Sequence, residues 1–424
     1  MKMLNRVTVL AFVVSALFSA ATGVLAQTVI WSENFDDGNG NNRWYADNGV
    51  WQIGTPSIGP ATNSAGYRTH SGPYCATTGL SNDYPVSTDS RLIRIASFTV
   101  PAANQSPRLR FYEWYSFTSC YGNDYGVVEV KVVGSNTWQE VSPRRYNNSG
   151  DWTDTSVDLS AYAGQTVQVA FQMVWNHPTG YSCSGPNAPG WYIDDIAFES
   201  GTPVFNNPEG FENGIGDWYA ETGVWQVGVP TSGPGSAHSG TNCAATILNG
   251  NYPWSANSRF ISPPVTIPAA SQSPRLRFYE WYSFTSCYGS DYGVVEVKVV
   301  GSNTWQTVSP NRYNSSGGWT DTSVDLSAYA GQTVQVAFHM VFAQPGGYSC
   351  SGTSPGWYID DIALVTGTPV FNNPEGFENG IGDWYAETGV WQVGVPTSGP
   401  GSAHSGTNCA ATILNGNYPW SANS

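Results

Sequence analysis

The 424 residues carry a formal charge of −15, with 11% charged side chains, 14% aromatics, 47 Gly and 27 Pro. Such a chain is too aromatic for disorder and too turn-rich for a helical fold. It also lacks the basic footprint that nucleic-acid binding needs, while an acidic surface suits a salt-exposed, exported protein and is compatible with cation binding.

The first 26 residues read as a secretory signal: Lys2 and Arg6, an apolar run from Val7 to Leu17, then Val24-Leu25-Ala26 as a small-residue cleavage site, leaving Gln27 as the mature N-terminus. The apolar run is short for a membrane span and no later stretch qualifies. The expected protein is soluble and secreted, extracellular or at the cell surface, with no membrane span and no nucleic-acid partner.

Internal repetition then sets the architecture. Residues 201–258 are identical to residues 367–424, and Ser106 to Tyr115 recurs as Ser273 to Tyr282. A period of this length is a whole domain. The expected units are repeat 1 over 27–200, repeat 2 over 201–366 and the N-terminal part of a third over 367–424. Copy three stops where copy two runs on into Arg259-Phe260-Ile261, which suggests a fragment of a longer protein, because half a domain leaves strand edges open.

Within a repeat, short strands alternate with turn clusters. Leu109, Phe111, Glu113 and Tyr115 alternate with Arg110, Tyr112, Trp114 and Ser116. Val127–Val133, the turn Gly134-Ser135-Asn136-Thr137 and Trp138–Val141 form a hairpin. Thr166 to Trp175 is a long apolar strand. Gly190-Trp191-Tyr192-Ile193-Asp194-Asp195-Ile196 closes repeat 1 and returns as Gly356 to Ile362 in repeat 2. Read as a regular strand, it puts Tyr192, Asp194, Ile196 and Phe198 on one face, and likewise Tyr358, Asp360, Ile362 and Leu364. A carboxylate on an apolar face needs a partner: a cation, an Arg or backbone N–H groups. At a strand end, water would serve. About ten short strands per repeat, with no convincing amphipathic helix, predict an all-β, two-sheet sandwich.

Phe211-Glu212-Asn213-Gly214, Gly223-Val224-Trp225-Gln226, Ala237-His238-Ser239-Gly240, Trp319 with Val324-Asp325-Leu326, and Gly356 to Ile362 together resemble MAM-type jelly rolls. The closer resemblance is to the MAM-like modules appended to secreted bacterial proteins, such as immune-inhibitor-A-type metalloproteases. The resemblance implies tandem jelly-roll sandwiches, concanavalin-like in build, serving adhesion, ligand binding or targeting, and often a structural calcium. It pairs an acidic residue on the first strand with the Asp of the last: Asp36 with Asp194, and Glu212 with Asp360. Two carboxylates plus loop carbonyls would suit calcium, which takes six to eight oxygen ligands. Asp195 and Asp361 are expected on the opposite face in water, and Glu378 has no closing Asp in this sequence.

Cys120 and Cys183 are 63 residues apart, as are Cys287 and Cys350. Under an export signal this spacing reads as one disulfide per repeat. Cys75, Cys243 and Cys409 precede small residues and read as buried strand thiols. His70, His238 and His404 stand five residues before them; a His–Cys pair is too few ligands for zinc, and His-Ser-Gly reads as a turn. Glu113 and Glu280 are single carboxylates where glycoside hydrolysis usually needs two, and read as polar residues on a concave or edge face. No His-Glu-x-x-His, Gly-x-Ser-x-Gly or phosphate loop is present. Trp114, Tyr125, Trp281 and Tyr292 remain as aromatic contacts for a ligand surface. The expected function is non-catalytic binding to extracellular glycan or protein. The alternatives are an accessory region of a secreted hydrolase and a dedicated carbohydrate-binding module.

Overall fold

The computed structural model describes residues 26–85, 89–118, 123–176, 188–254, 256–286, 291–343 and 352–419. Residues 1–25, which hold most of the expected signal sequence, lie outside them, as do Cys120, Cys183, Cys287 and Cys350 of the expected disulfides. The chain is all-β and builds tandem jelly-roll sandwiches.

Repeat 1 contributes β1 (Thr28–Glu33), β2 (Trp44–Ala46), β3 (Gln52–Gly54), β4 (Cys75–Thr77), β5 (Ser90–Arg94), β6 (Phe98–Thr99), β7 (Arg108–Ser116), β8 (Tyr125–Val132), β9 (Gln139–Glu140), β10 (Thr153–Asp158), β11 (Thr166–Val174) and β12 (Gly190–Ser200). Repeat 2 contributes β13 (Tyr219–Ala220), β14 (Gln226–Gly228), β15 (Cys243–Ala245), β16 (Ser258–Ile261), β17 (Val265–Thr266), β18 (Arg275–Ser283), β19 (Tyr292–Val299), β20 (Gln306–Thr307), β21 (Thr320–Asp325), β22 (Thr333–Val341) and β23 (Gly356–Val365). The third copy adds β24 (Gln392–Gly394) and β25 (Cys409–Ala411).

The front sheet of repeat 1 runs β3-β4-β12-β7-β10, with β1 also on β12, and the back sheet runs β2-β5-β11-β8-β9, with β6 on β11. Repeat 2 repeats the plan, with β14-β15-β23-β18-β21 in front and β13-β16-β22-β19-β20 behind. Alternation decides what lies between the sheets. On β7, Leu109, Phe111 and Tyr115 point inward to meet Val128, Val130, Phe171 and Met173 of the back sheet. The main core of repeat 1 draws only on its own residues, and so does that of repeat 2. The hairpin turn at Gly134 joins β8 to β9 as the sequence implies.

The closing strand departs from a regular alternation. Between Asp194 and Ala197 the register against β7 shifts, and Asp195 adopts φ +46°. This is a β-bulge, in which an extra residue reverses the inward and outward order. Trp191 and Ile193 before it, and Ile196 and Phe198 after it, all enter the core. Tyr192 and Asp194 therefore face away from Ile196 and Phe198, not with them. Repeat 2 has the same break, with Trp357, Ile359 and Ile362 inward, Leu364 packed beside them and Asp361 at φ +50°.

Candidate functional site

The bulge brings two adjacent carboxylates to one loop. The segment before β4 crosses the outer side of the front sheet and delivers His70 and Ser71 to the bulge. Asp194 is fully buried. Its Oδ2 accepts the backbone N–H groups of His70 (3.0 Å) and Ser71 (3.1 Å), and its Oδ1 accepts that of Asp195 (2.9 Å). Backbone N–H groups, one of the partners open to it from sequence, are thus supplied by the fold. Burial, then the nearby charge of Asp195, pushes its pKa up to about 8.

Asp195 is not left to water. Its Oδ2 lies 2.6 Å from His70 Nδ1, and its Oδ1 accepts from Ser71 Oγ at 2.8 Å. The His70 ring stacks on Tyr112, 3.4 Å between centroids, with Trp152 edge-on. The histidine thus does more than form a turn: it clamps the loop to the sheet. Repeat 2 rebuilds the arrangement. Asp360 accepts from the N–H groups of His238, Ser239 and Asp361. Asp361 meets His238 Nδ1 at 2.6 Å and Ser239 Oγ at 2.7 Å, and His238 stacks on Tyr279. Asp360 is raised less, to about 6, by burial. Arg275 and Arg277 do not serve Asp360; they pair with Asp383 and Asp321.

Asp36 lies close enough to raise Asp194 by like charge, and it accepts from the Tyr74 N–H and the Asn34 side chain. Glu212 accepts from the N–H groups of Thr241 and Asn242, and its charge reaches Cys243, as does that of Asp360. These all-oxygen pairs match calcium in donor type. Their visible partners are N–H groups, and among the described residues no three His, Cys, Asp or Glu side chains converge to hold an ion. Cys75 and Cys243 are buried strand thiols, and burial pushes both well above the ordinary thiol range. Cys409 is half-buried.

Glu113 corrects another expectation. It is fully buried, not on an edge. Arg145 Nε reaches both its oxygens (3.1 and 2.9 Å), Thr155 Oγ1 donates at 2.8 Å and Trp191 Nε1 at 2.9 Å. Glu280 repeats this with Arg312, Thr322 and Trp357. A carboxylate so saturated is a structural core ion pair. The equal 32-residue spacing of Glu113–Arg145 and Glu280–Arg312 was the sequence signal for it.

The four aromatics expected at a ligand surface divide between the sheets. Trp114 on β7 stands edge-on to Tyr192, and Trp281 on β18 edge-on to Tyr358. Tyr125 on β8 packs on Tyr146 beneath the Arg144 guanidinium, and Tyr292 on Tyr313. Tyr146 in turn borders a cleft of about 460 Å³ between repeats 1 and 2, lined also by Arg144, Asn148, Glu221, Asn257 and Arg259. A second cleft of about 500 Å³ includes His238, Tyr279 and Trp319 of repeat 2 and Trp391 of the third copy. Trp391 holds the place of Trp225, which is core in repeat 2.

No protein-family model matches the chain. Bacillopeptidase F of Bacillus subtilis is 37% identical over 177 residues, 41% of this chain and 12% of that protein. The pre-pro-metalloprotease PrtV of Vibrio cholerae is 34% identical over 125 residues, 27% of this chain and 13% of that protein. The chain therefore spans only a small part of either relative. Among solved structures, the tandem CBM22-1–CBM22-2 domains of Paenibacillus barcinonensis Xyn10C align over 82% of this chain and 100% of theirs, at 13% identity and a TM-score of 0.27. The K1 cleaved adhesin domain of Lys-gingipain from Porphyromonas gingivalis aligns over 42% of this chain and 97% of its own, at 17% and 0.22. Superpositions this loose carry no argument about the ligand.

Proposed function

We propose that the chain is a non-catalytic binding array, an accessory region of an extracellular hydrolase, directed at glycan or protein surfaces. The supporting observation is the match to Bacillopeptidase F: about one repeat's length of sequence recurs as 12% of a much larger peptidase. The MAM-like resemblance supports the same reading. A repeat is then a unit carried beside proteolytic chemistry. We place the ligand in the cleft between repeats 1 and 2, because it combines an exposed ring, Tyr146, with amide and guanidinium donors from both repeats. Such a mixture suits a sugar's hydroxyls and apolar face. The expected signal sequence supports an extracellular setting, to which disulfides between Cys120 and Cys183 and between Cys287 and Cys350 would belong. Calcium at Asp36 with Asp194, and at Glu212 with Asp360, is a structural part of this reading: loop carbonyls and water would complete the shell.

The test is retention of residues 27–424 on a glycan array, on insoluble polysaccharides and on immobilised extracellular matrix proteins. We expect retention on one class that Tyr146→Ala abolishes while the melting temperature stays put. Failure to bind any of them, or hydrolysis of peptide or glycan substrates by the chain alone, would overturn the reading.

A further inference from the structure

The contact between repeats 1 and 2 is made again between repeat 2 and the third copy. Arg108 Nη2 meets Asp217 at 3.0 Å, and Arg275 Nη2 meets Asp383 at 2.7 Å. Arg110 Nη1 donates to the Gly216 carbonyl at 2.8 Å, and Arg277 Nη1 to that of Gly382 at 2.6 Å. The Tyr115 hydroxyl accepts the Gly223 N–H at 3.1 Å, and the Tyr282 hydroxyl that of Gly389 at 2.9 Å. Thr155 on β10 pairs in parallel with Ala220, and Thr322 on β21 with Ala386. A Cβ on Gly223 would overlap the Ser149 side chain, and one on Gly389 that of Ser316. One face of a repeat, built on the Arg-bearing strand, thus accepts the N-terminal face of the next by strand addition and charge pairing.

Repeat 1 has its own N-terminal face, and there the pattern is inverted. Tyr45 and Ala46 pair with Ile93 and Leu92 as Tyr219 and Ala220 pair with Ile261 and Phe260. That register puts Arg43 where repeat 2 has Asp217. Arg43 is turned onto its own repeat, bonded to Glu33 and to both oxygens of Asp37 at 2.8 Å. Its side chain is 40% exposed, against 9% for Asp217 at the filled junction. Gly49 stands in the place of Gly223 with nothing near its missing Cβ. Presented to an Arg108–Arg110 or Arg275–Arg277 pair, this face would offer no free carboxylate at the Asp217 place, only a guanidinium already held by Glu33 and Asp37, so the charge pairing of the filled junctions would be missing.

We infer that the junction is a recognition surface that works between separate copies of the repeat, and that Arg43 withholds repeat 1 from it. Repeat 1 can accept a neighbour on its Arg face but cannot be accepted by one. This stands independently of the ligand proposed above.

The test uses the full chain with a site-specific protease sequence inserted after Thr202, cut after folding and run on size exclusion. The cut halves should co-elute at the mass of the uncut chain. Asp217→Arg, checked for an unchanged melt before cutting, should let them separate. Gly223→Ala, which wedges the same contact sterically, should do so if the charge variant fails to fold. From the Asp217→Arg background, the released N-terminal half should be monomeric. With Arg43→Asp added it should self-associate as its concentration rises, and with Arg43→Asn, which puts no new acid beside Glu33 and Asp37, it should do so more weakly. Wild-type halves that part on cutting, or N-terminal halves that behave alike with and without Arg43, would overturn the inference.

Discussion

Repeats 1 and 2 share their buried polar chemistry and differ at their rims. Glu113–Arg145 and Glu280–Arg312 match in partners and to within about a tenth of an ångström in the Arg Nε distances. The acid expected on the first strand, by contrast, is Asp36 in one and Glu212 in the other, both in turns rather than on a strand, and Arg43 replaces Asp217. A carboxylate bonded on both oxygens in a closed core leaves little room for drift, because an unpaired buried charge costs too much. A rim residue can change sign at the cost of a few exposed contacts, as Arg43 does with Glu33 and Asp37, and so alter what the repeat meets.

The largest effect should come from breaking that common core. Arg145→Ala and Arg312→Ala each leave a buried carboxylate unpaired and should destabilise by about 3–5 kcal/mol. If the repeats are equivalent, denaturant titration will show equal losses in the two; a twofold difference would break the equivalence.

The buried aspartates should separate the repeats by pH. A carboxyl whose pKa is raised on folding holds its proton more tightly when folded, so its stabilising contribution is full at low pH and is lost as pH rises. For Asp194 the loss should extend from near the usual 3.8 up to about 8, and for Asp360 only up to about 6. Melting curves taken with a chelator should show repeat 1 weakening over the wider range, and Asp194→Asn should remove that slope. Calcium should flatten both slopes and raise both melting points, while Asp360→Asn should abolish the chelator response in repeat 2. Slopes that ignore both chelator and calcium would dismiss the cation and leave the N–H groups as sole partners.

The smallest effect is at the loop clamp. His238→Ala removes one ring stack and one bond to Asp361, each worth about 1 kcal/mol. His70→Ala should cost the same, read as a fall in thermal midpoint. A loss confined to one repeat would mean that the stacked rings do different work in each.

The layered sandwich was legible because strand alternation and a self-match at an offset of 166 residues survive in one sequence. The faces of the closing strand were not, because a bulge costs one residue and leaves no mark on composition: Asp194-Asp195 reads as ordinary alternation until Asp195 takes a left-handed conformation. His70 was undervalued for a related reason. Its partner, Asp195, lies 125 residues away, and only the fold brings the pair together. Arg145 was hidden in a turn-rich segment, although its fixed spacing from Glu113 pointed to it.

The sheet that passes from β10 into β13 carries a consequence for shape. When one set of bonds fixes each unit on the one before, every step applies the same turn and the same advance. Such an operation, repeated, generates a screw rather than a string of beads. Any feature built identically at each junction would then point outward in regular angular steps, and a flat target could reach only those that fall on its own side. Avidity from such an array is then limited by geometry, because units that cannot engage the target at the same time add nothing.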